Sequence, residues 1–201
     1  MGHSLRAASV PGALGLLFAL AVPPAHAGAR VGIEGAAASV EVPAGWVVAP
    51  VSTDAPYLQL TLCDPARSDA NSCLVLGEMS IEQLVDARAP ASLDAVLEDA
   101  RARHAEAKEA DRLSAPRRLT VSGHDAVEQA GVGDIHYNYG PAGSEWGKMA
   151  FHSLTLHDGS AFYRCNLSVA PTGYSSELRR ALHQFCSSLQ STGSHSQSGQ
   201  Q

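Results

Sequence analysis

The stretch Ala161-Phe162-Tyr163-Arg164-Cys165-Asn166-Leu167-Ser168-Val169 decides the fold. It alternates with a period of two, so Ala161, Tyr163, Cys165, Leu167 and Val169 share one face of a strand. A second pattern follows at once. From about residue 174 to 189, Leu178, Ala181, Leu182, Phe185 and Leu189 recur at helical spacing, with Cys186 beside that stripe. The two periodicities turn Cys165 and Cys186 toward a common interface, so a disulfide between them is expected to pin a closing helix on a sheet.

Working outward, 119–121, 126–130, 135–139 and 149–157 read as strands. They are separated by the turn signals Ser122-Gly123-His124-Asp125 and His157-Asp158-Gly159-Ser160. Together with 161–169 they predict an antiparallel meander. Before it, Leu93, Val96, Leu97, Ala100, His104 and Ala107 mark a one-faced helix over about 92–112, with Ser92 as its N-cap and Asp94, Glu98 and Asp99 in its first turns. Upstream, 57–63 alternates strongly, 64–72 is a turn-rich loop, and 73–79 resumes as a strand, so Cys63 and Cys73 flank a hairpin loop. A short strand over 39–42 runs into a turn at Pro43-Ala44-Gly45-Trp46. The fold class is α+β: an antiparallel sheet with helices packed on it.

The N-terminus reads as an address. Arg6, an apolar run from Ala13 to Val22, Pro23-Pro24 and the triplet Ala25-His26-Ala27 follow the order of a cleavable secretory signal over residues 1–27. The run is shorter than the ~20 residues a membrane span requires, and no cysteine closes it, so a soluble periplasmic or secreted product starting near Gly28 is expected, without stable membrane insertion. Residues 28–37 read as a flexible lead, 38–190 as one domain and 191–201 as a disordered tail. The exported part carries 13 Lys and Arg against 20 Asp and Glu, a formal charge of −7, which makes nucleic acid a poor partner.

All four cysteines lie in the exported part, and an even count there favours disulfides. Four cysteines permit three pairings, and the strand and helix pattern supports Cys63 with Cys73 and Cys165 with Cys186. A zinc site is the rival, but the spacings lack the two close ligand pairs of structural zinc.

The order of elements, with Pro43, Gly45 and Trp46 in the first turn and Phe162 and Tyr163 in the last strand, resembles the PsbP-like superfamily. Its members include the extrinsic subunit P of photosystem II, a Ran-binding nuclear factor and bacterial exported proteins. The resemblance covers about residues 38–190. It implies an α/β/α sandwich, a central antiparallel sheet with helices on its faces, and a binding or assembly role without catalysis or cofactor; the family offers no catalytic set to carry over. Two disulfides set this chain apart from its reduced relatives.

The exported part has seven histidines, His104, His124, His136, His152, His157, His183 and His195. His152 and His157 fall on opposite strand faces, and sequence gives no convergence, so neither a metal site nor a catalytic set is expected. There is no G-x-S-x-G elbow, and the Gly140–Lys148 loop lacks phosphate-cradle spacing because Met149 follows the lysine. Trp146, with Tyr137 and Tyr139 across a hairpin, is the candidate binding surface, since aromatics on exposed loops anchor recognition; folding of Trp146 onto the core is the alternative. The expected function is a non-catalytic exported binding or accessory protein, an assembly factor or an immunity-type inhibitor of a secreted toxin, partnered by another exported protein. The alternative is a metal-assisted or His/Asp hydrolase of the cell envelope.

Overall fold

The computed structural model describes residues 28–50, 55–64, 66, 73–108, 111–138 and 144–191, with backbone alone for 135–138 and 144–146. Among these residues ten strands and two α-helices follow in order: β1 (Arg30–Gly32), β2 (Ala38–Glu41), β3 (Trp46–Ala49), β4 (Tyr57–Cys63), β5 (Val75–Leu84), α1 (Leu93–Glu106), β6 (Ser114–Val121), β7 (His124–Asn138), β8 (Ser144–His157), β9 (Phe162–Val169), α2 (Ser176–Ser187) and β10 (Gln190–Ser191). β3 to β9 form one seven-stranded antiparallel sheet in the order β3-β4-β5-β9-β8-β7-β6. It is two meanders joined where β5 pairs β9, with α1 as the connection from one to the other. β1, β2 and β10 make a second, three-stranded sheet.

Both helices start on serine caps, Ser92 as sequence marks and Ser175, which the reading from about residue 174 does not single out. Ser92 Oγ accepts from the Ala95 amide and Ser175 Oγ from the Leu178 amide, each satisfying an N–H that the first turn leaves free. The helices cover opposite faces. Leu93 and Leu97 of α1 pack on Val127 of β7, with Val96 and Phe162 alongside. Leu182, Phe185 and Cys186 of α2 pack with Tyr163, Cys165, Leu167 and Val169 of β9, whose neighbours alternate to the α1 side. The main core lies on the α2 side, where the small sheet contributes Ile33, Ala38, Val40 and Val42.

Several expectations change in detail. The segments 126–130 and 135–139 are parts of one long strand, β7, carried through Gly131 and Gly133 by its pairing with β8. The first helix ends at Glu106, where Ala107 turns extended, rather than near 112. Residues 28–37, read as a flexible lead, are folded: β1 pairs β2 and Ile33 is 2 % exposed, because its apolar side chain closes the core edge. The turn at Pro43–Trp46 forms, with the Trp46 amide donating to the Pro43 carbonyl, and Trp46 also opens β3 and is buried. Residue 191 of the expected tail belongs to β10, and 192–201 lie outside the described residues.

Both disulfides are formed as the sequence pattern supports, Cys63 to Cys73 and Cys165 to Cys186. The second is fully enclosed, with Cys165 and Cys186 at 0 % and 1 % exposure, and it ties α2 to β9.

Candidate functional site

The two sheet faces carry different chemistry. On the α2 face, Glu128 of β7 stands directly opposite Arg117 of β6 in the strand register, and His152 projects from β8 on the same face. From α2, Arg179 and His183, one helical turn apart, descend onto the same point. The carboxylate receives all four side chains. Oε1 accepts from His152 Nε2 at 2.8 Å, His183 Nε2 at 2.8 Å and Arg179 Nη2 at 2.8 Å, while Oε2 accepts from Arg117 Nε at 2.8 Å and Arg179 Nη2 at 2.9 Å. Beyond His152, Nδ1 shares a hydrogen bond with the Tyr174 hydroxyl.

Glu128 and His152 are 2 % and 1 % exposed, and an unpaired charge at that depth would be strongly destabilising. Burial pushes the Glu128 carboxyl up. The hydrogen bonds from His152, His183, Arg117 and Arg179 outweigh it and hold the group far below the ordinary carboxylate range. Burial raises the Tyr174 hydroxyl, with Arg179 opposing and Glu128 reinforcing the rise. The cluster is therefore an ionised carboxylate locked by cations that also fastens α2 to β6, β7 and β8.

On the α1 face, α1 covers only the β6 to β8 end, and the remainder is polar. One register row crosses five strands as Gln59, Ser80, Asn166, Ser153 and Gln129. The row beside it runs Tyr57, Glu82, Arg164, Thr155 and Val127, and the row on the other side Thr61, Glu78, Ser168, Phe151 and Gly131. A groove of about 350 Å³ opens over their centre, walled by Tyr57, Phe151 and Arg164. Two buried polar atoms there, Ser153 Oγ and Arg164 Nε, have no hydrogen-bond partner among the described residues. Gly131 supplies the floor under Phe151: a Cβ at that position would meet the ring at 2.8 Å.

The sequence-derived candidates fall elsewhere. Tyr139 lies outside the described residues. Tyr137 and Trp146 belong to the β7–β8 hairpin, where His136 pairs Trp146 and Tyr137 pairs Glu145 in the backbone, and their side chains lie outside the description. His157 meets the Phe162 ring at a ring-centre distance of 4.4 Å with the planes tilted by 37°, away from His152, as strand parity requires. The convergence of His152 with His183 was missed. The available signal was the spacing of Arg179 and His183 on one helix face, together with a Glu on the inward face of a strand, an arrangement that makes sense only if it is paired.

No protein-family model matches the chain, and no curated protein matches it. Among solved structures, the chain is similar to a crystal structure from Bacteroides thetaiotaomicron VPI-5482 with 11 % identity and a TM-score of 0.46 over 82 % of this chain, and it spans 48 % of that longer chain. It is also similar to LpqN, involved in cell envelope biogenesis of Mycobacterium tuberculosis, with 17 % identity and a TM-score of 0.43 over 83 % of this chain and 88 % of that one. Among the described residues no helix is long and apolar enough to cross a membrane.

Proposed function

We propose that this is an exported accessory protein of the cell envelope that works by binding, and that the polar groove on the α1 face is its recognition site. The observation that carries the reading is the five-strand row of amides and hydroxyls in which Ser153 Oγ, next to the central Asn166, has no partner among the described residues. Polar groups at such depth are normally satisfied, and this one belongs to a residue that lines the groove. The row offers neutral donors and acceptors, so the ligand it suits is uncharged and rich in the same groups. On this reading α1, the large sheet and α2 are the three layers of a PsbP-like α/β/α sandwich, the product is periplasmic or secreted, and an assembly factor or an immunity-type inhibitor would present the same face to another exported protein.

The test is a panel of neutral oligosaccharides and short uncharged peptides, read through the side-chain amide resonances of Asn166 and Gln129. Support is a member of the panel that moves both amides in the native chain and loses its effect in Asn166→Leu. A ligand that binds with these amides unmoved would displace the site from this face.

A second reading has its own observation. One ligand atom each from Glu128, His152 and His183 lies within 4.8 Å of the others, the donor set of a His-His-carboxylate metal centre. Arg117 and Arg179 oppose it, because a dication would stand against two guanidiniums already holding both carboxylate oxygens. Zinc added to the chelator-treated chain discriminates: a large rise in melting temperature favours the metal centre and the hydrolase it would serve.

A further inference from the structure

We infer that the outer edge of the Glu128 cluster is an anion site for a phosphoryl group, held by Arg117 and Arg179 with His183 beside them. One guanidinium suffices to neutralise Glu128, yet the structure supplies two guanidiniums and two imidazoles to the same carboxylate. Counting Glu128, Arg117 and Arg179 alone leaves one positive charge over, on a chain that is acidic as a whole.

That surplus faces outward. Arg117 gives only Nε to Glu128, and its two Nη groups have no other partner among the described residues; its side chain is 60 % exposed. Arg179 gives Nε and Nη2, leaving Nη1, and its side chain is 39 % exposed. A single oxygen, Glu128 Oε2, bridges the two guanidiniums and fixes them side by side on different elements. Long cationic side chains ordinarily lose rotamer freedom on gripping a ligand, and here that loss is already incurred in folding. A planar fork with free N–H groups fits the oxygens of phosphate in pairs.

The surrounding charges leave the site cationic. His152 and Tyr174 are turned to each other and to Glu128. Glu177, in the first turn of α2, is exposed. The carboxylate that shares the cavity beside His183 is Glu41, which is paired to Arg30. The phosphoryl group could come from a soluble phosphate ester or from a lipid headgroup, and the recognition chemistry is common to both.

The experiment follows the Nε–H resonances of Arg117 and Arg179 in the disulfide-bonded chain during titration with inorganic phosphate, against chloride at matched ionic strength. Both resonances are expected to shift and saturate with phosphate alone. Arg117→Gln should weaken binding at least about tenfold and Arg117→Lys by less, because lysine keeps the charge and loses the fork; the melting temperature of each variant verifies its fold. Vesicles of phosphatidylcholine with and without phosphatidylglycerol separate the sources. Arg117-dependent co-sedimentation with the anionic vesicles assigns a headgroup, and phosphate binding without it assigns a soluble ester. The inference is overturned if phosphate shifts nothing, if Arg117→Gln binds as the parent does, or if zinc moves the His152 and His183 resonances while phosphate moves neither arginine.

Discussion

The sheet is finished on one side and open on the other. On the α2 face, apolar side chains, a disulfide and a carboxylate with every oxygen engaged close the interface between helix and sheet. On the α1 face, a helix with only Leu93, Leu97 and Ala100 buried covers part of the surface, and beside it two polar atoms go without partners among the described residues. A chain that can gather two guanidiniums and two imidazoles on Glu128, with a hydroxyl behind one of them, is not short of means to satisfy Ser153. Stability is concentrated on the α2 face, and the α1 face is left free of that duty.

Removing the bridge of the closed face should have the largest effect. Chain entropy ranks the two disulfides alike at roughly 3 kcal/mol each, since doubling a loop adds only about 0.6 kcal/mol. Packing separates them. Cys165 and Cys186 are enclosed between α2 and β9, whereas Cys73 is exposed. Cys165→Ala is expected to destabilise by about 1–2 kcal/mol more than Cys73→Ala, through the cavity it leaves. Thermal unfolding of both single variants measures this, and a larger loss from Cys73→Ala would place the strength of the fold at the loop rather than at α2.

Glu128→Ala should come next, at about 3 kcal/mol. Removing one partner of a buried ion pair costs roughly 3–5 kcal/mol, and the low end applies because Arg117 and Arg179 can turn to water while His152 cannot. Denaturant unfolding checks it. A loss under about 1 kcal/mol would show that the cluster does not fasten α2.

The same carboxylate sets an acid limit. Its folded pKa is depressed, so its contribution is fully present above the unfolded value near 4.5 and is lost as pH falls below it. Asp158 acts in the same sense: burial opposes it, and bonds from Ser191, Ser160 and Ala161 overcome that opposition. Melting temperature should therefore fall steadily below about pH 4.5, and Glu128→Gln should flatten that fall. An unchanged acid slope in Glu128→Gln would assign the limit to other carboxylates.

Sequence showed local structure far better than what converges across the sheet. Tyr57–Cys63 matches its expected strand to the residue, the cap Ser92 and both disulfides follow from local pattern, and the α2 stripe is the one that packs. Each of these rests on residues close in the chain or on a simple period. The Glu128 cluster joins β6, β7, β8 and α2, and its hydrogen bonds reach 55 residues along the chain, a separation at which periodicity carries no information. The groove was hidden differently. Gln59, Ser80, Asn166 and Ser153 are the polar half of ordinary alternation, the pattern of any strand with one face in water, and only the pairing of β5 with β9 aligns them into a row. Trp46 shows the same limit, since a Pro-x-Gly-Trp turn is visible locally while the core that receives the indole is not.

The smallest expected effect is also the one with the opposite sign. Ser153 is 2 % exposed and its hydroxyl lacks a partner among the described residues; leaving such a group unmade costs about 1–3 kcal/mol. Ser153→Ala removes the hydroxyl and little volume, so the variant should be more stable than the parent by roughly 0.5–1 kcal/mol, although nearly every other buried substitution in this core should destabilise. The companion measurement is ligand affinity. If Ser153 is retained for recognition, the more stable variant should also lose its response to the neutral ligands that move Asn166 and Gln129, a trade of stability against function that is usual where a site is held unsatisfied. A loss of stability above about 1 kcal/mol in Ser153→Ala would mean that the hydroxyl is satisfied by water in solution. Both faces of the sheet would then be closed, and the asymmetry between them would disappear.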